Sequence, residues 1–81
     1  MDEFFQSAVE RVSILPTQPN HVQLNLYGLY KQAVFGDVQG KRPGVFDIRG
    51  RAKYDAWASR KGMQTNAAQS EYIEFADELG V

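Results

Sequence analysis

Two short stretches carry side chains suited to a charged, ring-bearing ligand. Tyr27, Tyr30 and Lys31 lie close together in one, and Lys53, Tyr54 and Trp57 in the other. An ammonium group beside aromatic rings suits an anionic molecule with a ring of its own, through charge pairing and stacking. Taken singly, each set reads better as ordinary core aromatics beside a solvated lysine.

Catalytic chemistry finds little support. His21 is the only histidine and has no cysteine or obvious serine partner for nucleophilic catalysis. The absence of cysteine removes disulfides, zinc thiolates, thiol nucleophiles and iron–sulfur clusters together. The run Gly36-Asp37-Val38-Gln39-Gly40-Lys41-Arg42 resembles a phosphate-binding loop only superficially. It is one residue short between the glycines, has Arg42 where a metal-holding serine or threonine belongs, and follows no strand. Glu71, Glu74, Asp77 and Glu78 share a helix, with no histidine to complete a metal site. No enzyme, metal or cofactor is expected.

Proline and glycine divide the chain into four helices and one long loop. The first helix is predicted over about 2–15, with Phe5, Ala8, Val12 and Leu15 on its core face, and is stopped by Pro16 and Pro19. The second is predicted over about 21–35, capped by Asn20 and closed by Gly36. The third is predicted over about 50–61, with basic residues in its last turn and Gly62 beyond it. The fourth begins near Thr65 and aligns Ala68, Tyr72, Phe75, Ala76 and Leu79. No β-type alternation is present.

At about 100° per residue, Val22, Leu26, Leu29 and Ala33 form the core face of the second helix. Tyr27, Lys31 and Val34 form a different face, with Tyr30 between the two. Asn25, Gly28 and Gln32 make the one plainly polar strip. The 36–49 connector exceeds the usual length of about 2–8 residues between bundle helices, and Val45, Phe46 and Ile48 are its expected apolar anchors.

At 81 residues the chain makes a single domain, here taken as 1–81, with an ordinary 43% hydrophobic and 23% charged residues. Its longest apolar run is three residues, too short to span a membrane. An acidic start without a following apolar stretch leads us to expect a cytoplasmic location. The net charge of -1 hides a division. From Lys31 to Lys61, eight bases against three acids give +5, and outside it one base against seven acids gives -6. A basic block of this kind suggests that one surface meets a polyanion.

A resemblance joins these features. Leu26-Tyr27-Gly28-Leu29-Tyr30-Lys31-Gln32-Ala33, then Gly36-Asp37, Arg42-Pro43-Gly44 and Gly50-Arg51-Ala52-Lys53-Tyr54-Asp55-Ala56-Trp57, closely resembles the acyl-CoA-binding protein family. Phe5, Ala8, Val12, Leu15, Pro19, Lys61-Gly62 and Tyr72-Ile73 fit as well, so the likeness covers essentially the whole chain. It implies an all-α, four-helix up-down-down-up bundle with a long connection between the second and third helices. It also implies a monomeric intracellular carrier and pool former for medium- and long-chain acyl-CoA esters, without catalysis, nucleic acid or stable membrane insertion. Residue by residue, it implies that Tyr27, Tyr30 and Lys31 meet the adenine and 3′-phosphate. Lys53 then supplies a second cation, Arg49 stands near the phosphates, and Tyr72 contacts the ligand from the fourth helix.

There are departures from the family pattern. Pro19 to Tyr27 is one residue shorter than usual, Tyr54 replaces a common tryptophan, and Ser13 stands where many members have lysine. The usual capping box of the fourth helix is absent. A small helical nucleic-acid-binding domain and a protein-interaction module are the alternatives, although a pI near 5.7 counts against the first.

Overall fold

Each helix begins where the local sequence can satisfy or dispense with its free amides. In a computed structural model, which describes residues 2–80, the helices are α1 (Glu3–Ser13), α2 (Asn20–Phe35), α3 (Ile48–Ala58) and α4 (Thr65–Glu78). No strand occurs among the described residues. The Asp2 carboxylate accepts from the Phe4 amide at 2.7 Å and opens α1. Asn20 is the first residue of α2 rather than its cap. Pro19 holds the cap position, and its carbonyl accepts from the Val22 and Gln23 amides at 3.0 Å.

The third helix starts earlier than the glycine suggests, because the Asp47 carboxylate accepts from the Gly50 amide at 3.0 Å. It also ends earlier, at Ala58, so Arg60 and Lys61 lie in the turns beyond it and not in its last turn. Gly62 adopts the left-handed backbone with φ 90°, closing those turns as glycine readily does.

Packing places α2 at the centre. It lies against α3 on one side and α4 on the other, while α1 packs on α4. The core consists of Phe5 and Ala8 from α1, Leu26, Leu29 and Ala33 from α2, and Ala68, Tyr72 and Ala76 from α4. The third helix contributes no buried residue. Something other than the apolar core must hold it.

That role falls to the plainly polar strip of α2. Gly28 is buried where α3 crosses, and a Cβ there would lie 2.9 Å from the Ala56 carbonyl carbon. Gln32 is 1% exposed, and its amide donates to Asp37 Oδ1 at 2.9 Å and to the Met63 carbonyl at 2.7 Å. The Arg60 guanidinium donates to Asn25 Oδ1. Glycine allows close backbone approach, and the two amides satisfy polar groups of the turns that flank α3.

The long loop is not anchored by Val45, Phe46 and Ile48, all of which are exposed. Polar side chains of α3 hold it instead. Arg42 forms a two-pronged pair with Asp55 at 2.9 and 2.7 Å. Arg51 donates to the Pro43 carbonyl at 3.0 Å, Tyr54 to the Gly40 carbonyl at 3.1 Å, and the Trp57 indole to the Gly36 carbonyl at 2.7 Å.

Candidate functional site

The close approach of Gly28 to Ala56 draws α2 and α3 together at one level, and a cleft opens on the N-terminal side of that contact. It has a volume of about 520 Å³ and is lined by Asn20, Gln23, Leu24 and Tyr27 from α2. From α3 come Ile48, Arg49, Ala52 and Lys53. Leu24, Ile48 and Ala52 make part of the wall apolar, and the cations stand beside it.

Tyr27 is half-buried, with two ammonium groups near its ring. Lys53 Nζ lies 5.6 Å from the centre of its ring and Lys31 Nζ 5.9 Å. Lys31 rests more closely on two other rings, 4.3 Å from Phe35 and 4.9 Å from Trp57. Such contacts stabilise a lysine without neutralising it, because the ring quadrupole carries no net charge. Neither Lys31, Arg49 nor Lys53 makes an ion pair among the described residues. The cleft is thus lined by two cations, Arg49 and Lys53, with Lys31 beyond Tyr27, and none of the three has a carboxylate partner among the described residues.

Of the residues the resemblance implies, Tyr27, Arg49 and Lys53 line the cleft, while Lys31 stands one turn beyond Tyr27 against Phe35 and Trp57. Tyr30 and Tyr72 are placed on the α1 side of the molecule. Their rings flank Phe5, with centroids 6.1 and 5.2 Å from it, and lie 6.5 Å from each other. Tyr30 borders a shallow hollow of about 150 Å³ with Gln6, Val9 and Glu10. Tyr72 is 3% exposed, and burial, with Tyr30 adding a smaller push, raises its phenol to about 12.

The exposed Ser13 hydroxyl donates to the Glu10 carbonyl at 2.6 Å. Arg11 pairs with Asp77 at 3.3 Å, so it faces α4 rather than the side of Ser13. Sequence reasoning missed Asn20, Gln23, Leu24, Ile48 and Ala52 as cleft residues. Their spacing holds a usable signal, since 20, 23, 24 and 27, and likewise 48, 49, 52 and 53, fall one helical turn apart.

Comparison with known proteins gives the family and the fold. The family profile described as "Acyl CoA binding protein" matches residues 2–76. An acyl-CoA-binding protein homolog of Drosophila melanogaster is 42% identical over 80 residues, covering 98% of this chain and 93% of the relative. The crystal structure of Oryza sativa Acyl-CoA-Binding Protein 2 superposes with a TM-score of 0.91 at 41% identity, covering 95% of this chain and 87% of that one. The structure of ACBP from Moniliophthora perniciosa gives 0.85 at 40% identity, covering 93% and 76%. On the strength of a full-length match in both sequence and fold, this chain belongs to the acyl-CoA-binding protein family.

Proposed function

We propose that the chain binds medium- and long-chain acyl-CoA esters and serves as an intracellular carrier and pool former for them, without catalysis. The observation that carries this reading is a partly apolar cleft lined by Tyr27, Arg49 and Lys53, with Lys31 beside the Tyr27 ring. CoA presents several negative charges and an adenine ring at one end, which call for cations and a stacking surface. The acyl chain calls for an apolar channel, in which each buried methylene is worth roughly 0.8 kcal/mol. A volume of about 520 Å³ falls in the range of small-molecule sites.

In this reading Tyr27 stacks on the adenine, Lys31 meets the 3′-phosphate, and Arg49 and Lys53 meet the remaining phosphates. Tyr30 is the proposed contact from the α1 side. Tyr72 reaches a ligand only by its edge, because so little of it is open, and it braces Tyr30 by packing. All these groups come from one chain, so a monomer suffices.

Titration calorimetry with palmitoyl-CoA, free CoA and an oligonucleotide tests the proposal. Palmitoyl-CoA should bind much more tightly than free CoA, and the oligonucleotide should not bind. Equal affinity for CoA and its palmitoyl ester would overturn the reading, since nucleotide contacts alone would then account for binding.

A further inference from the structure

Three apolar side chains stand in solvent at the turn that leads into α3. Val45 is 63%, Phe46 97% and Ile48 79% exposed. The turn itself is held from behind: the Asp47 amide donates to the Gly44 carbonyl and the Arg51 guanidinium to the Pro43 carbonyl, each at 3.0 Å. An isolated exposed apolar residue needs no explanation, but a fixed cluster of three marks an interaction surface.

The charge around this tip is mostly positive. Residues 41–53 hold Lys41, Arg42, Arg49, Arg51 and Lys53 against Asp47 alone, five minus one, or +4, and the pairing of Arg42 with Asp55 leaves +3. The Asp47 carboxylate is engaged by the Gly50 amide at the N-terminus of α3, where the helix dipole offsets its charge. Arg49 follows Ile48 directly, Lys53 lies one turn further along α3, and neither makes an ion pair among the described residues.

We propose that the 45–48 turn docks on the surface of a bilayer containing anionic lipid. Phe46 enters the interfacial layer with Val45 and Ile48 beside it, and Arg49 and Lys53 face the head groups. An apolar wedge ringed by cations is the combination that an anionic lipid interface recognises. The exposed apolar set is three residues, against about 20–30 residues a side in a standard protein interface. The contact is peripheral, as no described helix is long and apolar enough to cross a membrane. Ile48 and Arg49 also line the cleft, so docking sets its edge against lipid.

Docking does not depend on the acyl-CoA reading and is tested without that ligand. The chain is sedimented with vesicles of phosphatidylcholine alone and of phosphatidylcholine mixed with phosphatidylserine. It should pellet with the mixed vesicles only, and high salt should release it. The double variant Val45→Ser/Phe46→Ser should partition at least tenfold less, as expected for losing even partial burial of two apolar side chains, with its helical circular dichroism unchanged. Because the chain has no cysteine, Phe46→Cys accepts a single environment-sensitive NBD label. Its emission should shift to the blue and resist an aqueous quencher in the presence of mixed vesicles. If the chain stays in the supernatant, or the double variant pellets like the parent, or the label stays quenchable, the tip does not dock on lipid. A chain that docks but fails to bind palmitoyl-CoA in calorimetry leaves this inference standing and removes the other.

Discussion

The ammonium of Lys31 sits 4.3 Å from the centre of the Phe35 ring, one helical turn further along α2. Phe35 is 54% exposed and takes no part in the core, so its ring acts on the lysine more than on the fold. Together with Trp57 it holds the positive charge at one place beside the cleft.

Phe35→Ala should therefore weaken CoA binding by about 0.5–1 kcal/mol, the size of an exposed cation–π contact, with little change in melting temperature. Lys31→Ala and Lys53→Ala should each cost about 1.5–3 kcal/mol, the range for hydrogen bonds to charged groups. In calorimetry on a double-mutant cycle, Phe35→Ala should add nothing once Lys31 is gone. A full additional loss in that background would show that Phe35 touches the ligand itself.

Gly28→Ala tests the seam between α2 and α3. The new methyl would collide with the Ala56 carbonyl, so α3 must move away. The expected cost is about 1–3 kcal/mol, as for other overpacked sites, together with weakened ligand binding. Hydrogen exchange should show the α3 amides losing protection while those of α1, α2 and α4 keep theirs. Uniform loss across all four helices would mean that α3 is part of the main cooperative unit.

Stability should fall at both ends of the pH scale. The Gly62 amide, then the Gln32 amide, hold the Asp37 carboxyl below its usual range, and Arg42 does the same for Asp55. A lowered carboxylate stabilises the fold above its unfolded value of about 4, and that stabilisation is lost as pH drops through the folded value. Tyr72 has the opposite sign. Its phenol is pushed up to about 12, so stability should decline as pH rises from about 10 toward that value. Denaturant titrations across pH should show a shallower acid limb for Asp37→Asn and a shallower alkaline limb for Tyr72→Phe. Unchanged limbs would remove these two groups as the cause.

Ser13→Lys should tighten acyl-CoA binding by about 0.2–1 kcal/mol at low salt, the size of an exposed ion pair, and the gain should shrink as salt rises. Arg11→Ala should leave binding nearly unchanged, because its guanidinium points to Asp77 on α4. Titration of both variants at two ionic strengths decides the matter. A large binding loss for Arg11→Ala would place the ligand against the wrong side of α1.

Helix number was legible because it rests on local signals: prolines at 16 and 19, glycines at 36 and 62, and apolar spacing within each segment. The ends of α3 were not, since Asp47 opens it earlier and it closes at Ala58. The core stripe of α4 and the Leu26, Leu29 and Ala33 face of α2 followed from the same periodicity. Two faces were less legible. Asn25, Gly28 and Gln32 read as a plainly polar strip, but polarity is a poor guide where two amides serve as internal ties and a glycine admits a crossing helix. Val45, Phe46 and Ile48 looked like anchors because apolar residues in a loop usually are, yet α3 offered its polar side to the loop instead.

Residue types and spacing by themselves determined four helices, one long connection and the joint presence of tyrosine, lysine and tryptophan on α2 and α3. All of these depend on neighbours within a turn or two. Tertiary structure alone decided that Lys31 rests on Trp57, that Lys53 comes against the Tyr27 ring, and that Tyr30 and Tyr72 close on Phe5 instead. Those relations join residues on different helices: the first two follow from where Gly28 lets α3 cross α2 and the third from how α4 packs on α1 and α2, contacts that helical periodicity does not encode.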